Sequence, residues 1–152
     1  MKNIEYLIQK YPLIFKDYEG NPGRVNWYCP KGWIEMVDVA CYQIQSHIDN
    51  MNLWAEKNPE KNQPVEQLTC LQIKEKFGGL RFYTGGGDGY CQGIISYIGD
   101  LSYSICESCG SNQDIGYTKG WISTVCIKCK DNYKNQWEPK KETEDKYDKL
   151  IK

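Results

Sequence analysis

The stretch Cys106-Glu-Ser-Cys109-Gly110, followed further along the chain by Cys126-Ile-Lys-Cys129, decides how the C-terminal part folds. Two C-x2-C pairs at this separation have the ligand spacing of a structural zinc site. Four thiolates at about 2.3 Å from one ion complete a tetrahedron and leave no position for a water molecule. We therefore predict one structural Zn²⁺ bound by Cys106, Cys109, Cys126 and Cys129. A disulfide pair or unliganded core thiols are the alternatives that remain open.

The residues around these cysteines indicate how the site would be built. β-branched and aromatic residues flank Lys119-Gly120 within residues 115–125, which predicts a short hairpin. Residues 127–137 are expected to form a helix that Pro139 ends. A knuckle, a hairpin and ligands at a helix start, in this order, resemble a treble-clef zinc finger. We call residues 104–138 the finger.

The rest of the chain predicts helices around a small antiparallel sheet. An apolar period near 3.6 indicates helices over residues 3–11, 33–57 and 90–105. From residue 68 to 84 the period changes to two around Gly78-Gly79, which predicts a hairpin with Phe77 and Phe82 covering one face. The fold class is therefore α+β. The expected division is an α+β body at 1–103, the finger docked on it, and a charged tail at 139–152.

Composition limits the classes of function. The chain has 152 residues with 40% hydrophobic residues, enough for a core, and its net charge of −1 does not favour non-specific phosphate binding. Met1-Lys-Asn-Ile-Glu-Tyr6 lacks the apolar run of a signal peptide, and no stretch has the roughly 18 apolar residues of a membrane span. We expect a cytoplasmic protein without a membrane partner, whose cysteines stay reduced. An exported disulfide protein is the alternative.

Catalytic groups do not form a recognisable set in the sequence. His47 is expected to be a solvent-facing helix residue, because no positioned partner for base catalysis is visible. Residues 85–89, Gly-Gly-Gly-Asp-Gly, match no phosphate-binding motif, and we interpret them as a flexible loop with Asp88 as a helix N-cap. An enzyme is therefore less favoured than a binding protein. The remaining cysteines have no ligand-like spacing, although a second metal site from them stays open: Cys29, Cys41, Cys70 and Cys91.

Basic and aromatic residues on the hairpin and finger are candidates for partner binding: Lys74, Lys76, Arg81, Tyr117, Lys119, Trp121 and Lys128. Aromatic rings that stack on bases, next to cations that contact phosphates, would suit single-stranded nucleic acid. The competing interpretation places Phe77, Tyr83 and Trp121 in the core and the lysines on a solvated rim. If they are exposed and not in the core, Trp and Tyr side chains would instead be anchors for a protein partner, because these residues dominate interface hot spots: Trp27, Tyr28, Tyr117 and Trp121.

The stretch Gln72-Ile-Lys-Glu-Lys-Phe-Gly-Gly-Leu-Arg-Phe-Tyr83 resembles a hairpin of small uncharacterised bacteriophage and prophage proteins. The likeness extends to Tyr11-Pro-Leu-Ile-Phe15, Cys29-Pro-Lys-Gly-Trp33 and Ser104-Ile-Cys106-Glu-Ser-Cys109-Gly110. Many of those proteins have Cys-x2-His as the last pair, where this chain has Cys126 and Cys129.

The resemblance implies an accessory protein of a mobile element and carries no established activity. We expect it to bind a host or phage protein, for example as an inhibitor of a defence nuclease in the manner of an anti-CRISPR protein. The alternative is a zinc finger that binds nucleic acid.

Overall fold

The computed structural model describes residues 2–18 and 27–141. These form an α+β fold, as predicted, with helices α1 (Ile4–Lys10), α2 (Ile34–Lys57) and α3 (Gly89–Ser102). Strands β1 (Thr69–Lys76) and β2 (Gly79–Gly85) make one antiparallel sheet. Strands β3 (Ile115–Thr118), β4 (Thr124–Cys126) and β5 (Trp137–Pro139) make a second, in the order β4-β3-β5. Within the predicted tail, residues 142–152 lie outside the described residues.

α2 supplies much of the body's core, because its apolar stripe is buried over its whole length. It follows a single 3-10 turn at Lys31–Trp33, and the Trp33 side chain is fully buried. The buried apolar residues on α2 repeat with the predicted helical period: Ile34, Val37, Ala40, Cys41, Ile44, Ile48 and Ala55. α3 packs against α2 and against β2, so the hairpin closes the other side of the core.

A buried carboxylate joins α1 to α2. Asp38 accepts hydrogen bonds from Tyr11 Oη at 2.6 Å, Lys10 Nζ at 2.8 Å, Tyr6 Oη at 3.0 Å and Lys2 Nζ at 3.3 Å. Burial alone would raise the pKa of this carboxyl. The four hydrogen bonds outweigh burial and hold the pKa of Asp38 well below its usual range. The charged form of Asp38 therefore stabilises the docking of α1.

The hairpin turn lies one residue earlier than predicted. Phe77 and Gly78, with φ of 53° and 75°, form the two-residue connection, and Gly79 begins β2. Gly79 lies in the strand beneath the ring of Tyr103, and a Cβ there would come within 2.3 Å of that ring. Phe77 is consequently at the tip of the turn and 64% exposed, so the prediction that it covers the core face was wrong. Phe82 is buried as predicted.

The predicted helix over residues 127–137 is also wrong. This segment contains only a 3-10 turn at Lys130–Asn132 and then enters β5. The Trp137 indole packs on β3, where a Cβ on Gly116 would lie 2.4 Å from the ring, and its Nε1 donates to the Val125 carbonyl at 3.0 Å. The helix on which the treble-clef resemblance depended is therefore absent from the described residues. β5 continues across the predicted boundary between finger and tail.

The third helix is shorter than its apolar period indicated. α3 ends at Ser102, three residues before the predicted end, where Tyr103 caps it through a backbone hydrogen bond to the Asp100 carbonyl at 3.3 Å. Among the described residues, no helix combines the length and the apolar character that crossing a bilayer requires.

Hydrogen bonds connect the finger to the body on two sides. Gly32 N donates to the Glu107 carbonyl at 2.9 Å, and Trp33 Nε1 donates to the Ile105 carbonyl at 2.9 Å. On the other side, the buried hydroxyl of Thr124 donates to the Gly78 carbonyl at 2.6 Å. The start of α2 and the tip of the hairpin therefore both touch the metal-binding part of the chain.

Candidate metal centre

The four predicted ligands converge where the first knuckle meets β4. One sulfur from each of Cys106, Cys109, Cys126 and Cys129 lies within 4.8 Å of the other three. Cys109 Sγ and Cys126 Sγ are 3.7 Å apart. Bonds of about 2.3 Å to a central ion imply a tetrahedral edge of roughly 3.8 Å, whereas a disulfide needs about 2.05 Å. The four thiols are free, and their arrangement fits a metal ion. We call this group the four-cysteine site.

Tight turns bring each pair of sulfurs together. Gly110 N donates to the Cys106 carbonyl at 2.9 Å, and Cys129 N donates to the Cys126 carbonyl at 3.0 Å. Gly110 has φ of 80°, which only glycine adopts without strain. A Cβ at Gly110 would also come within 3.0 Å of the Gly32 carbonyl oxygen. The first knuckle is thus shaped both for the sulfurs and for contact with the body.

The four thiols would need a cation at their centre in order to be ionised together. Burial raises the pKa of Cys106, and burial together with hydrogen bonds from the neighbouring thiols raises that of Cys129. Four thiolates this close together repel one another. A divalent cation at the centre is what would hold all four in the ionised, ligating form.

Glu107 fastens the first knuckle to its surroundings. Its backbone N donates to the Thr124 carbonyl at 2.9 Å, and its side chain accepts from Tyr133 Oη at 3.1 Å and from Thr124 N at 3.3 Å. Its own carbonyl accepts the hydrogen bond from Gly32. Burial raises the pKa of Glu107. No pattern in the sequence indicates this role, because Glu107 looks like an ordinary spacer between two cysteines.

The structure brings most of the predicted partner-binding residues to two neighbouring places. Lys74 and Arg81 are opposite each other in the hairpin, on the face away from buried Ile73 and Phe82. Arg81 Nη2 donates to Tyr103 Oη at 2.9 Å. Tyr117 Oη in turn donates to the Tyr103 carbonyl at 3.2 Å, so Tyr103 links the hairpin to β3.

The second place is the hairpin tip. Lys76 Nζ lies 5.4 Å from the centre of the Phe77 ring, and Ile122 lies against Gly78. Trp121, next to Ile122, is 75% exposed. We call Lys74, Lys76, Phe77, Arg81, Tyr83, Trp121 and Ile122 the hairpin–finger surface. The interpretation that placed Phe77, Tyr83 and Trp121 in the core was wrong, since all three are exposed.

The remaining two candidates lie elsewhere on the finger. Lys119 pairs with Glu138 of β5 at 2.6 Å, and both side chains are about half exposed. Lys128 is exposed between the two cysteines of the second knuckle. Neither position is part of the hairpin–finger surface.

His47 differs most from its expectation. Its side chain is only 19% exposed, and its Nε2 contacts Asp88 Oδ2 at 2.7 Å. The imidazole also stacks on Tyr90, with ring centres 4.2 Å apart. Asp88 is the N-cap of α3, as predicted, and accepts from Cys91 N at 3.1 Å. Sequence reasoning missed the contact because 41 residues separate His47 from Asp88.

Comparison of the chain with protein-family models, with curated proteins and with solved structures finds no match.

Proposed function

We propose that this chain is a non-enzymatic binding protein, stabilised by one Zn²⁺ at the four-cysteine site, whose hairpin–finger surface binds a protein partner. The observation that carries the proposal is the exposure of Phe77 at the hairpin tip and of Trp121 on the finger, whose chain neighbour Ile122 lies against Gly78 of that tip. Exposed apolar side chains grouped in one place mark interaction sites more often than scattered ones do.

Zinc is the metal that the donor set favours. Four sulfurs at tetrahedral separation suit Zn²⁺, with iron as the main competitor. No position remains for water, so the ion would hold the two knuckles together and would take no part in hydrolysis. Metal analysis of purified protein should give one zinc at this site. Stoichiometric iron in its place would refute the assignment.

A protein partner is favoured by the kind of residues on this surface. Trp and aromatic side chains supply most of the energy at protein interfaces, and Arg is the cation enriched there. Phe77, Trp121 and Ile122 offer apolar contacts, while Lys74 and Arg81 add positive charge at the margin. This arrangement suits an acidic protein surface with an apolar centre. The net charge of −1 is consistent with a partner other than nucleic acid.

Nucleic acid is the second candidate, and one observation favours it. The rings of Phe77 and Tyr83 are exposed next to Lys74, Lys76 and Arg81. Bases can stack on exposed rings while neighbouring cations contact the phosphates. Such a complex would weaken steeply with added salt, whereas an apolar protein interface weakens much less.

Affinity capture from host lysate, with and without nuclease and at two salt concentrations, separates the two candidates. Phe77→Asn and Trp121→Ser should each weaken capture of a protein partner by roughly 30-fold if both are hot spots. Asn-Gly is the preferred pair for this turn, so Phe77→Asn keeps the fold. Tyr42→Ser, which alters an exposed aromatic on α2, is the matched control.

The outcomes are distinct. A protein that survives nuclease and is lost with Phe77→Asn, but not with Tyr42→Ser, supports the proposal. Loss of everything captured after nuclease favours the nucleic-acid function. If none of the variants changes what is captured, the proposal that the hairpin–finger surface binds the partner is refuted. The more specific role, inhibition of a defence nuclease, is supported only by the resemblance to phage proteins. It predicts that a captured nuclease is slowed by the wild-type chain and recovers with Phe77→Asn.

A further inference from the structure

A second group of metal-binding side chains lies at the start of α3. One potential ligand atom from each of His47, Asp88 and Cys91 lies within 4.8 Å of the other two. His47 comes from the middle of α2, while Asp88 and Cys91 come from the N-cap and first turn of α3. The packing of α2 against α3 therefore creates the group, and none of its members belongs to the four-cysteine site.

We infer that His47, Asp88 and Cys91 form a second metal site, which takes a divalent transition metal of the Zn²⁺ class. Imidazole, carboxylate and thiolate are the three side-chain ligands of zinc, and hard cations such as Mg²⁺ or Ca²⁺ do not select sulfur or nitrogen. Three protein ligands leave a fourth position for water, which distinguishes this open site from the closed four-cysteine site. The inference is independent of the proposed function.

The side chains are held in place before any metal binds. Asp88 Oδ1 accepts the Cys91 backbone N–H at 3.1 Å, which leaves Oδ2 directed at His47 Nε2 at 2.7 Å. Stacking on Tyr90 fixes the plane of the imidazole. Two of the three ligands are thus oriented by contacts that do not use the metal-binding atoms, as is usual around protein metal sites.

The separations require only small movements. Bonds of about 2.0–2.2 Å to nitrogen and oxygen imply a tetrahedral edge of roughly 3.3 Å. The contact between His47 and Asp88 would therefore open by about 0.6 Å as the ion replaces a proton between them. The sulfur of Cys91, within 4.8 Å of the other two ligand atoms, needs a shift of roughly 1.3 Å at most, within the range of side-chain rotation.

The loop before α3 packs closely against this group at Gly87. Gly87, with φ of 75°, lies directly over Cys91, and a Cβ there would approach the Cys91 Cβ to 2.9 Å and Sγ to 3.4 Å. At Gly86 a Cβ would come within 2.3 Å of the Gln67 carbonyl oxygen. The loop is therefore packed closely over the sulfur, contrary to the flexible loop that the sequence predicted.

The burial of Cys91 and the exposure of Asp88 favour a metal site over a cysteine nucleophile. Cys91 is fully buried, so a substrate could not reach its sulfur. The Asp88 side chain is 35% exposed and offers a route for an ion. A pocket of about 230 Å³ also opens against His47, lined by Asn50, Trp54 and Tyr90 among others. It would give water or a small ligand access to the histidine side of the metal.

Metal content tests the site directly. Protein purified from zinc-supplemented cells and dialysed against micromolar free Zn²⁺ should contain two zinc ions per chain by mass spectrometry of the metal. His47→Gln and Asp88→Asn should each contain one. Asn is as good an N-cap as Asp, so Asp88→Asn keeps the start of α3, which circular dichroism checks. Cys41→Ala removes another buried thiol on α2 and, as the matched control, should retain two.

Cobalt gives a second measurement. Titration of metal-free protein with Co²⁺ should show two phases of thiolate-to-metal absorption, and Cys91→Ser should abolish the weaker phase alone. One zinc in the wild type, or two in both Asp88→Asn and His47→Gln, would overturn the proposal. Because the four-cysteine site keeps its zinc in all these variants, failure here leaves the proposed function untouched.

Discussion

Replacing Gly32 by alanine should separate the finger from the body. The added Cβ would lie 2.2 Å from the Cys106 carbonyl oxygen and 2.7 Å from the Glu107 carbonyl carbon and oxygen. These neighbours are backbone atoms, so no flexible side chain can move aside. Ordinary contact begins at 3.4 Å, and the knuckle would therefore have to shift by about 1 Å relative to the start of α2.

The cost follows from the hydrogen bonds that this shift breaks. Gly32 N to the Glu107 carbonyl and Trp33 Nε1 to the Ile105 carbonyl are both 2.9 Å long, and about 1 Å more takes each beyond hydrogen-bonding distance. A lost hydrogen bond with a buried partner costs about 1–2 kcal/mol. We expect Gly32→Ala to lower the free energy of unfolding by about 2–4 kcal/mol. For a chain of this length that is a fall in Tm of roughly 5–15 °C.

Thermal unfolding followed by circular dichroism measures the effect, and Gly93→Ala is the matched control. Gly93 lies in α3 with nothing within 4 Å of an added Cβ, so that substitution should stabilise by about 0.5–1 kcal/mol through helix propensity. Equal Tm values for Gly32→Ala and wild type would show that the knuckle does not rest on α2 as described. The reasoning from backbone contact would then be refuted.

Two further predictions concern the metal and an ionised carboxyl group. Removal of metal with a chelator should abolish hydrogen-exchange protection in the finger, while the helical signal of the body persists. The reason is that the buried apolar cluster of the finger contains, among the described residues, only Cys106, Val125 and Cys126. A finger that stays protected without metal would contradict this prediction. Because the pKa of Asp38 is lowered in the folded chain, its contribution is complete above the unfolded pKa of about 4 and is lost as the pH falls below it. Asp38→Asn should therefore destabilise by about 2–3 kcal/mol at neutral pH and by much less near pH 2, measured by urea unfolding; an equal loss at both pH values would refute the role of the charge.

Patterns along the sequence predicted those parts of the fold that are determined by residues close together in the chain. The 3.6-residue period located all three helices of the described chain, and the two-residue period located the hairpin. The spacing of the four cysteines predicted which side chains converge, because two short knuckles need no information from the rest of the chain. Asp88 as an N-cap was likewise predictable from the sequence alone.

The wrong predictions concern positions whose local structure depends on a residue far away in the sequence. The hairpin turn lies one position earlier because Phe77 and Gly78 take the positive φ values, while Gly79 packs beneath the ring of Tyr103. Residues 137–139 became a strand because the Trp137 indole fits on Gly116. His47 contacts Asp88 only because α3 packs against α2. In each case tertiary contact overrode local preference.

Phe77 connects the misplaced turn with the proposed function. A bulky residue at positive φ costs about 1 kcal/mol relative to glycine or asparagine, and an exposed ring gains almost nothing from burial. The contact that offsets this is the cation of Lys76 over the ring, worth roughly 0.5–1 kcal/mol at an exposed site. The two contributions roughly cancel, so Phe77 at this turn carries little net cost in the free protein. Phe77→Asn should therefore change the stability of the free protein little and, under the proposed function, weaken the complex with the partner.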